Sequence, residues 1–75
     1  MIKGFKNETY FIITAKLILY GFKFNREISG NVEVWNNPIT GKEFKIKRES
    51  KDISPHSLKF ILNQAGISIE EYINI

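Results

Sequence analysis

The segment from Ser54 to Gly66 carries its own start and stop signals, and this limits what can surround it. Ser54 is a good N-cap, and Pro55 suits the first helical position, where its missing N–H is no loss. Leu58, Ile61, Leu62 and Ala65 fall on one helical face, and Gly66 supplies the left-handed residue that commonly ends a helix. An amphipathic helix of this length must bury its stripe against another element, and the residues before it read as a sheet. Phe22 and Phe24 alternate with Lys23 and Asn25. Val32 and Val34 alternate with Asn31, Glu33 and Trp35, and Phe44 and Ile46 repeat the pattern. Ser29-Gly30 and the run from Asn36 to Gly41 supply the turns, so an antiparallel three-stranded meander is expected. After Gly66, Ser68 and Glu71 form a capping-box signature for a last short helix through Tyr72 and Ile73.

With 75 residues there is room for one domain and one modest core, and a large cofactor pocket is not expected. The chain has no cysteine, so neither a disulfide framework nor a thiolate metal site is available, in keeping with a reducing, cytoplasmic setting. The apolar runs Tyr10–Ile13 and Leu17–Tyr20 are interrupted by Thr14 and Lys16 and are too short to span a bilayer. No small-residue cleavage site follows them, so they read as core, with no role at a membrane.

Two readings of the N-terminal segment are open. Asn7 can cap a helix beginning at Glu8 and Thr9 and ending at Gly21, whereas the β-branched and aromatic content of Thr9–Thr14 suits a strand equally well. If helical, its apolar residues cover most of the circumference, more than one sheet face can bury. A homo-oligomer contact or another protein would cover the remainder, unless the N-terminal tail with Ile2 and Phe5 folds over it.

The chain resembles the HicA/YcfA family of small RNA-binding toxins. The likeness rests on the basic segment Lys42-Glu43-Phe44-Lys45-Ile46-Lys47-Arg48, the following Ser54–Ser68 helix with its Gln64-Ala65-Gly66 close, and Leu19-Tyr20-Gly21-Phe22-Lys23-Phe24 upstream. It spans roughly residues 12–73. It decides for a helix at the N-terminus, so the order becomes α-β-β-β-α with a short extra C-terminal helix, an α+β double-stranded-RNA-binding-like fold. The resemblance further implies an endoribonuclease whose histidine enters the second strand, and a HicB-like antitoxin as partner. Here Val32, or Asn31 with a one-residue shift in the turn, stands at that histidine's position, and neither exchanges a proton near neutral pH. The sequence thus points to an RNA binder without the family's ribonuclease activity. The competing readings are a ribonuclease using substitute residues and a protein-interaction module acting through helix 1.

The only histidine, His56, falls at the start of the second helix. It is a candidate base for a ribose hydroxyl, although an exposed first-turn histidine is the plainer reading. Glu70-Glu71 reads as the acidic first turn of the last helix. Metal-ligand spacing, a phosphate-cradling glycine loop and a nucleophile elbow are absent from the sequence, and no cofactor is expected. Alternation puts Lys23, Lys45, Lys47 and Trp35 on the solvent face of the sheet together with Glu27, Glu33 and Glu43, which would nearly cancel its charge. The expected RNA contacts are therefore at the sheet edge, from Lys47, Arg48, Lys51 and Lys59. Trp35 has two readings, a stacking platform for an unpaired base or a cover for its own small sheet.

Overall fold

The structure is a computed structural model that describes residues 8–48 and 53–74. It is an α+β domain with α1 Tyr10–Leu19, β1 Lys23–Ser29, β2 Val32–Asn36, β3 Glu43–Lys47, α2 Pro55–Ala65 and α3 Ile69–Ile73. The three strands form one antiparallel sheet in the order β1-β2-β3. This is the expected α-β-β-β-α order with the short C-terminal helix.

The N-terminal segment is a helix, but it begins later than Glu8. Glu8 is held extended, exchanging both backbone hydrogen bonds with Ile53 (2.9 and 2.7 Å). Thr9 is the cap, its Oγ1 accepting from the Ile12 N–H at 3.3 Å, and the expected Asn7 cap lies outside the described residues. The helix closes as a Schellman turn: the Gly21 N–H donates to the Ile18 carbonyl and the Phe22 N–H to that of Leu17. Gly21 has φ +100°, and a Cβ there would come within 3.1 Å of the Asn37 amide. The positive φ favours glycine, and the close approach leaves little room for a side chain. Asn37 is buried and donates to the Tyr20 carbonyl at 2.9 Å, while its Oδ1 accepts from the Ile39 and Thr40 N–H groups. One side chain therefore shapes the β2–β3 turn and ties it to the end of α1.

Both long helices pack on the same face of the sheet. Ile13 and Leu17 of α1, Trp35, Phe44 and Ile46 of the sheet, and Leu58, Ile61, Leu62 and Ala65 of α2 form one cluster with Tyr72 of α3. As the sequence signals require, Ser54 caps α2 and Gly66 ends it in the left-handed conformation, and α3 carries both hydrogen bonds of its capping box. Polar contacts fasten α3 to the N-terminal end of α1. The Tyr72 hydroxyl donates to Glu8 Oε1 at 2.5 Å, and the Lys16 ammonium sits 4.3 Å above the Tyr72 ring.

Strand register settles which side chains share a face. The rows across the sheet are Lys23–Asn36–Glu43, Phe24–Trp35–Phe44, Arg26–Val34–Lys45, Glu27–Glu33–Ile46 and Ser29–Val32–Lys47. Phe44 and Ile46 belong to the core, so the second and fourth rows face the helices. The expected phase of β2 is thereby reversed: Trp35 and Glu33 point inward, while Val32 and Val34 lie on the outer face. An indole buries more apolar area than a valine can, and Trp35 stacks on Phe44 at 6.2 Å between centroids and 17° between planes. Val34 is still fully buried, at the centre of the sheet in the row of Arg26 and Lys45.

Candidate nucleic-acid interface

The reversal of β2 reassigns the charges. Glu33, only 4% exposed, sits on the inner face, where Oε1 accepts from the Tyr10 hydroxyl (2.7 Å) and the Trp35 indole N–H (2.9 Å). Glu27 lies opposite it in the same inward row. The Arg48 guanidinium is 3.6 Å from Glu27 and 3.8 Å from Glu33, and so balances both carboxylates. Burial first, and then the hydrogen bond to Glu33, push the Tyr10 hydroxyl up to about 12. Among the described residues every buried side-chain nitrogen and oxygen has a partner.

Two of the three glutamates expected to cancel the outer face are therefore not on it. Among the described residues, those that remain there are Lys23, Arg26, Lys45 and Lys47 against Glu43, all of them exposed. The two irregularities of β1, between Phe24 and Arg26 and between Glu27 and Ser29, contribute to this sorting. The first inserts one residue and resets the alternation, so that Arg26 joins the lysines while Glu27 turns inward, and the second moves Ser29 to the outer row.

The basic face continues around the edge of β3 into a groove of about 570 Å³ against the first turns of α2, bordered by Lys45, Lys47, Ser54, His56, Ser57 and Phe60. The Gln64 side chain accepts from the Lys45 N–H at 3.0 Å, which satisfies part of the strand edge. Phe60 is 64% exposed, an aromatic ring standing off the core face of its own helix. Beyond it lies a second hollow of about 520 Å³ with Lys59, Asn63 and Ser68 on its walls, and His56 and Phe60 border both. A groove with cations on one wall and an exposed ring on the other can hold a phosphate backbone and stack a base.

Of the residues expected to contact RNA, Lys47 is on the outer face and at the groove, and Lys59 is one helical turn beyond His56. Arg48 is turned to the inner face and spends its charge on Glu27 and Glu33, and Lys51 lies outside the described residues. Trp35 is buried and cannot serve as a stacking platform. Phe60 was missed from sequence, although a signal was present: it falls off the stripe made by Leu58, Ile61, Leu62 and Ala65, and an aromatic there has no core to enter. The sequence expectation leaves out Lys23 and Lys45, whose charge the glutamates would cancel, and does not include Arg26, because the phase of β2 and the breaks in β1 are not legible in the sequence.

Asn31 and Val32 are at the β1–β2 turn, with the Arg48 N–H donating to the Asn31 carbonyl at 2.7 Å. Val32 is on the outer face beside Lys47. Among the described residues that line the groove the one imidazole is His56, whose neighbours Ser54 and Ser57 hydrogen-bond to each other at 3.3 Å in the helix cap. Among the described residues no group of three histidine, cysteine or carboxylate side chains could hold a metal ion, and no helix is long and apolar enough to cross a membrane. Comparison of the sequence with protein-family models and with curated proteins returns no match.

Proposed function

We propose that this chain is a HicA-like RNA-binding domain that holds RNA without cutting it. The observation that carries the reading is the outer sheet face, where among the described residues four cations stand against one carboxylate and run into a groove with an exposed phenylalanine. In this reading Lys23, Arg26, Lys45 and Lys47 take phosphates, Phe60 stacks on an unpaired base, and Lys59 extends the track along α2. The absence of a proton carrier at Asn31 and Val32 argues against catalysis of the family's kind. His56 alone lacks the second acid or base that transphosphorylation needs, so the active-ribonuclease reading would have to rest on His56 with a lysine of the groove. A HicB-like antitoxin is a partner only on the strength of the sequence resemblance.

Anisotropy of a labelled single-stranded RNA, titrated at several salt concentrations, tests this. Three to four phosphate contacts give a slope of log K on log salt of about −2 to −3. Lys47→Ala is expected to make the slope shallower by about 0.7, whereas Arg48→Ala leaves it unchanged because its charge is already paired. Phe60→Ala should weaken single-strand binding by about 1–3 kcal/mol and leave duplex binding unaffected. Binding that does not depend on salt would refute the proposal. The RNA should stay intact throughout; cleavage that disappears in His56→Ala would instead identify His56 as a catalytic base.

A further inference from the structure

The exposed side of α1 bears no charge at all. It consists of Phe11, Ile12, Ala15, Ile18 and Leu19, while Lys16, the helix's one charged residue, is turned toward Glu8 and Tyr72. These five residues are symmetric about Ala15: Ile12 and Ile18 lie three positions to either side, Phe11 and Leu19 four. Their exposure has the same symmetry, 78% and 75% for the outer pair and 45% and 52% for the inner pair. A surface palindromic about a small central residue can meet a copy of itself across a two-fold axis, as an isologous contact requires. An asymmetric partner places no such demand on it.

We infer that α1 is a self-association surface, on which a second copy lays its own α1 antiparallel with the axis at Ala15. Phe11 of each copy then covers Leu19 of the other, Ile12 covers Ile18, and the two alanines let the helix axes approach closely. Side chains of this size carry roughly 150–250 Å² each, so at these exposures one copy offers on the order of 500 Å². A pair buries on the order of 1,000 Å², which is where specific interfaces begin. The net charge of +3 per chain opposes association only weakly here. The basic cluster lies on the outer sheet face, whereas α1 packs on the inner one. The inference stands apart from the RNA reading, since no residue of the outer face or groove takes part in it.

Sedimentation equilibrium of the full chain should show a concentration-dependent rise from 8.7 kDa toward twice that mass. Leu19→Lys should weaken the dimer at least tenfold while the circular dichroism spectrum stays as in the parent, because Leu19 is 75% exposed. The chain has no cysteine, so Ala15→Cys adds a lone thiol at the axis. Under mild oxidation it should form a disulfide-linked dimer, and Lys59→Cys should not. The inference fails if the parent stays at one chain's mass at millimolar concentration, as it would if its own N-terminal residues or a different protein occupied the face. It fails equally if the dimer survives Leu19→Lys, or if Ala15→Cys cross-links no faster than Lys59→Cys.

Discussion

The two faces of the sheet are built from the same fifteen or so residues, yet charge is handled oppositely on each. The inner face takes in Glu27 and Glu33 and neutralises them with Arg48, the Tyr10 hydroxyl and the Trp35 indole. The outer face collects Lys23, Arg26, Lys45 and Lys47 and leaves them largely unopposed. A chain with a net charge of only +3 thus acquires a distinctly basic surface by moving acid inward. Net charge is a poor guide to a binding face when the fold can sort residues by sign, and here the sorting depends on which side of β2 the indole takes.

The strongest challenge to that contrast is to remove the residue that fixes the phase. Trp35→Ala takes away the ring that stacks on Phe44 and packs edge-on to Phe24, and it strips Glu33 of a donor. Truncating a buried aromatic typically costs about 3–5 kcal/mol. A domain this small has about that much stability in all, so the variant is expected to be largely unfolded by circular dichroism at 25 °C. A cooperatively folded Trp35→Ala variant within 1 kcal/mol of the parent, on the order of a surface change, would mean that the phase of β2 is set elsewhere.

Most of the architecture is legible in the sequence, and the departures from it have a common cause. Caps and turns are local chemistry. Ser54 with Pro55, Gly66, the Ser68–Glu71 box and the Ser29-Gly30 turn each involve residues within a few positions of one another, and each is where the sequence puts it. Alternation is local too, but it fixes only the period of a strand. Its phase is a tertiary decision, and in β2 valines and an aromatic compete for the inside. The insertions in β1 compound this, since an extra residue in a strand shifts every later side chain without any glycine or proline to announce it. The N-terminus of α1 was misread for a related reason: Glu8 makes a reasonable first helical residue until Ile53, far away in sequence, pairs with its backbone.

A finer test separates the polar part of the inner face from its packing. Glu33→Ala leaves the Tyr10 hydroxyl and the Trp35 N–H without an acceptor and takes from Arg48 one of its two carboxylates, whereas Glu33→Gln keeps an acceptor oxygen in place. Leaving buried groups unpaired costs about 1–3 kcal/mol, so urea denaturation should place Glu33→Ala that far below the parent, with Glu33→Gln between them. Arg48→Ala should lower stability more than Lys47→Ala, the reverse of their order in RNA affinity. If both variants lost RNA affinity equally with no difference in stability, the division of labour between the two faces would be wrong.

The smallest expected effect is an alkaline one, and it isolates the inner face without disturbing the fold at neutral pH. Burial and the bond to Glu33 raise the Tyr10 hydroxyl from 10.0 to about 12, and burial and the bond to Glu8 raise Tyr72 further. Between pH 10 and 12 the folded chain therefore keeps a Tyr10 proton that the unfolded chain has released, so the folded state binds more protons and stability falls as pH rises. The contribution is fully present below pH 10 and is lost as pH rises through about 12. The informative quantity is the difference between the parent and Tyr10→Phe. Denaturation midpoints followed from pH 8 to 12 should fall more steeply in the parent, and the gap between the two proteins should narrow toward the alkaline end. Parallel curves would mean that Tyr10 does not hold its proton against Glu33, and that the inner carboxylates are balanced by Arg48 and the Trp35 indole without it.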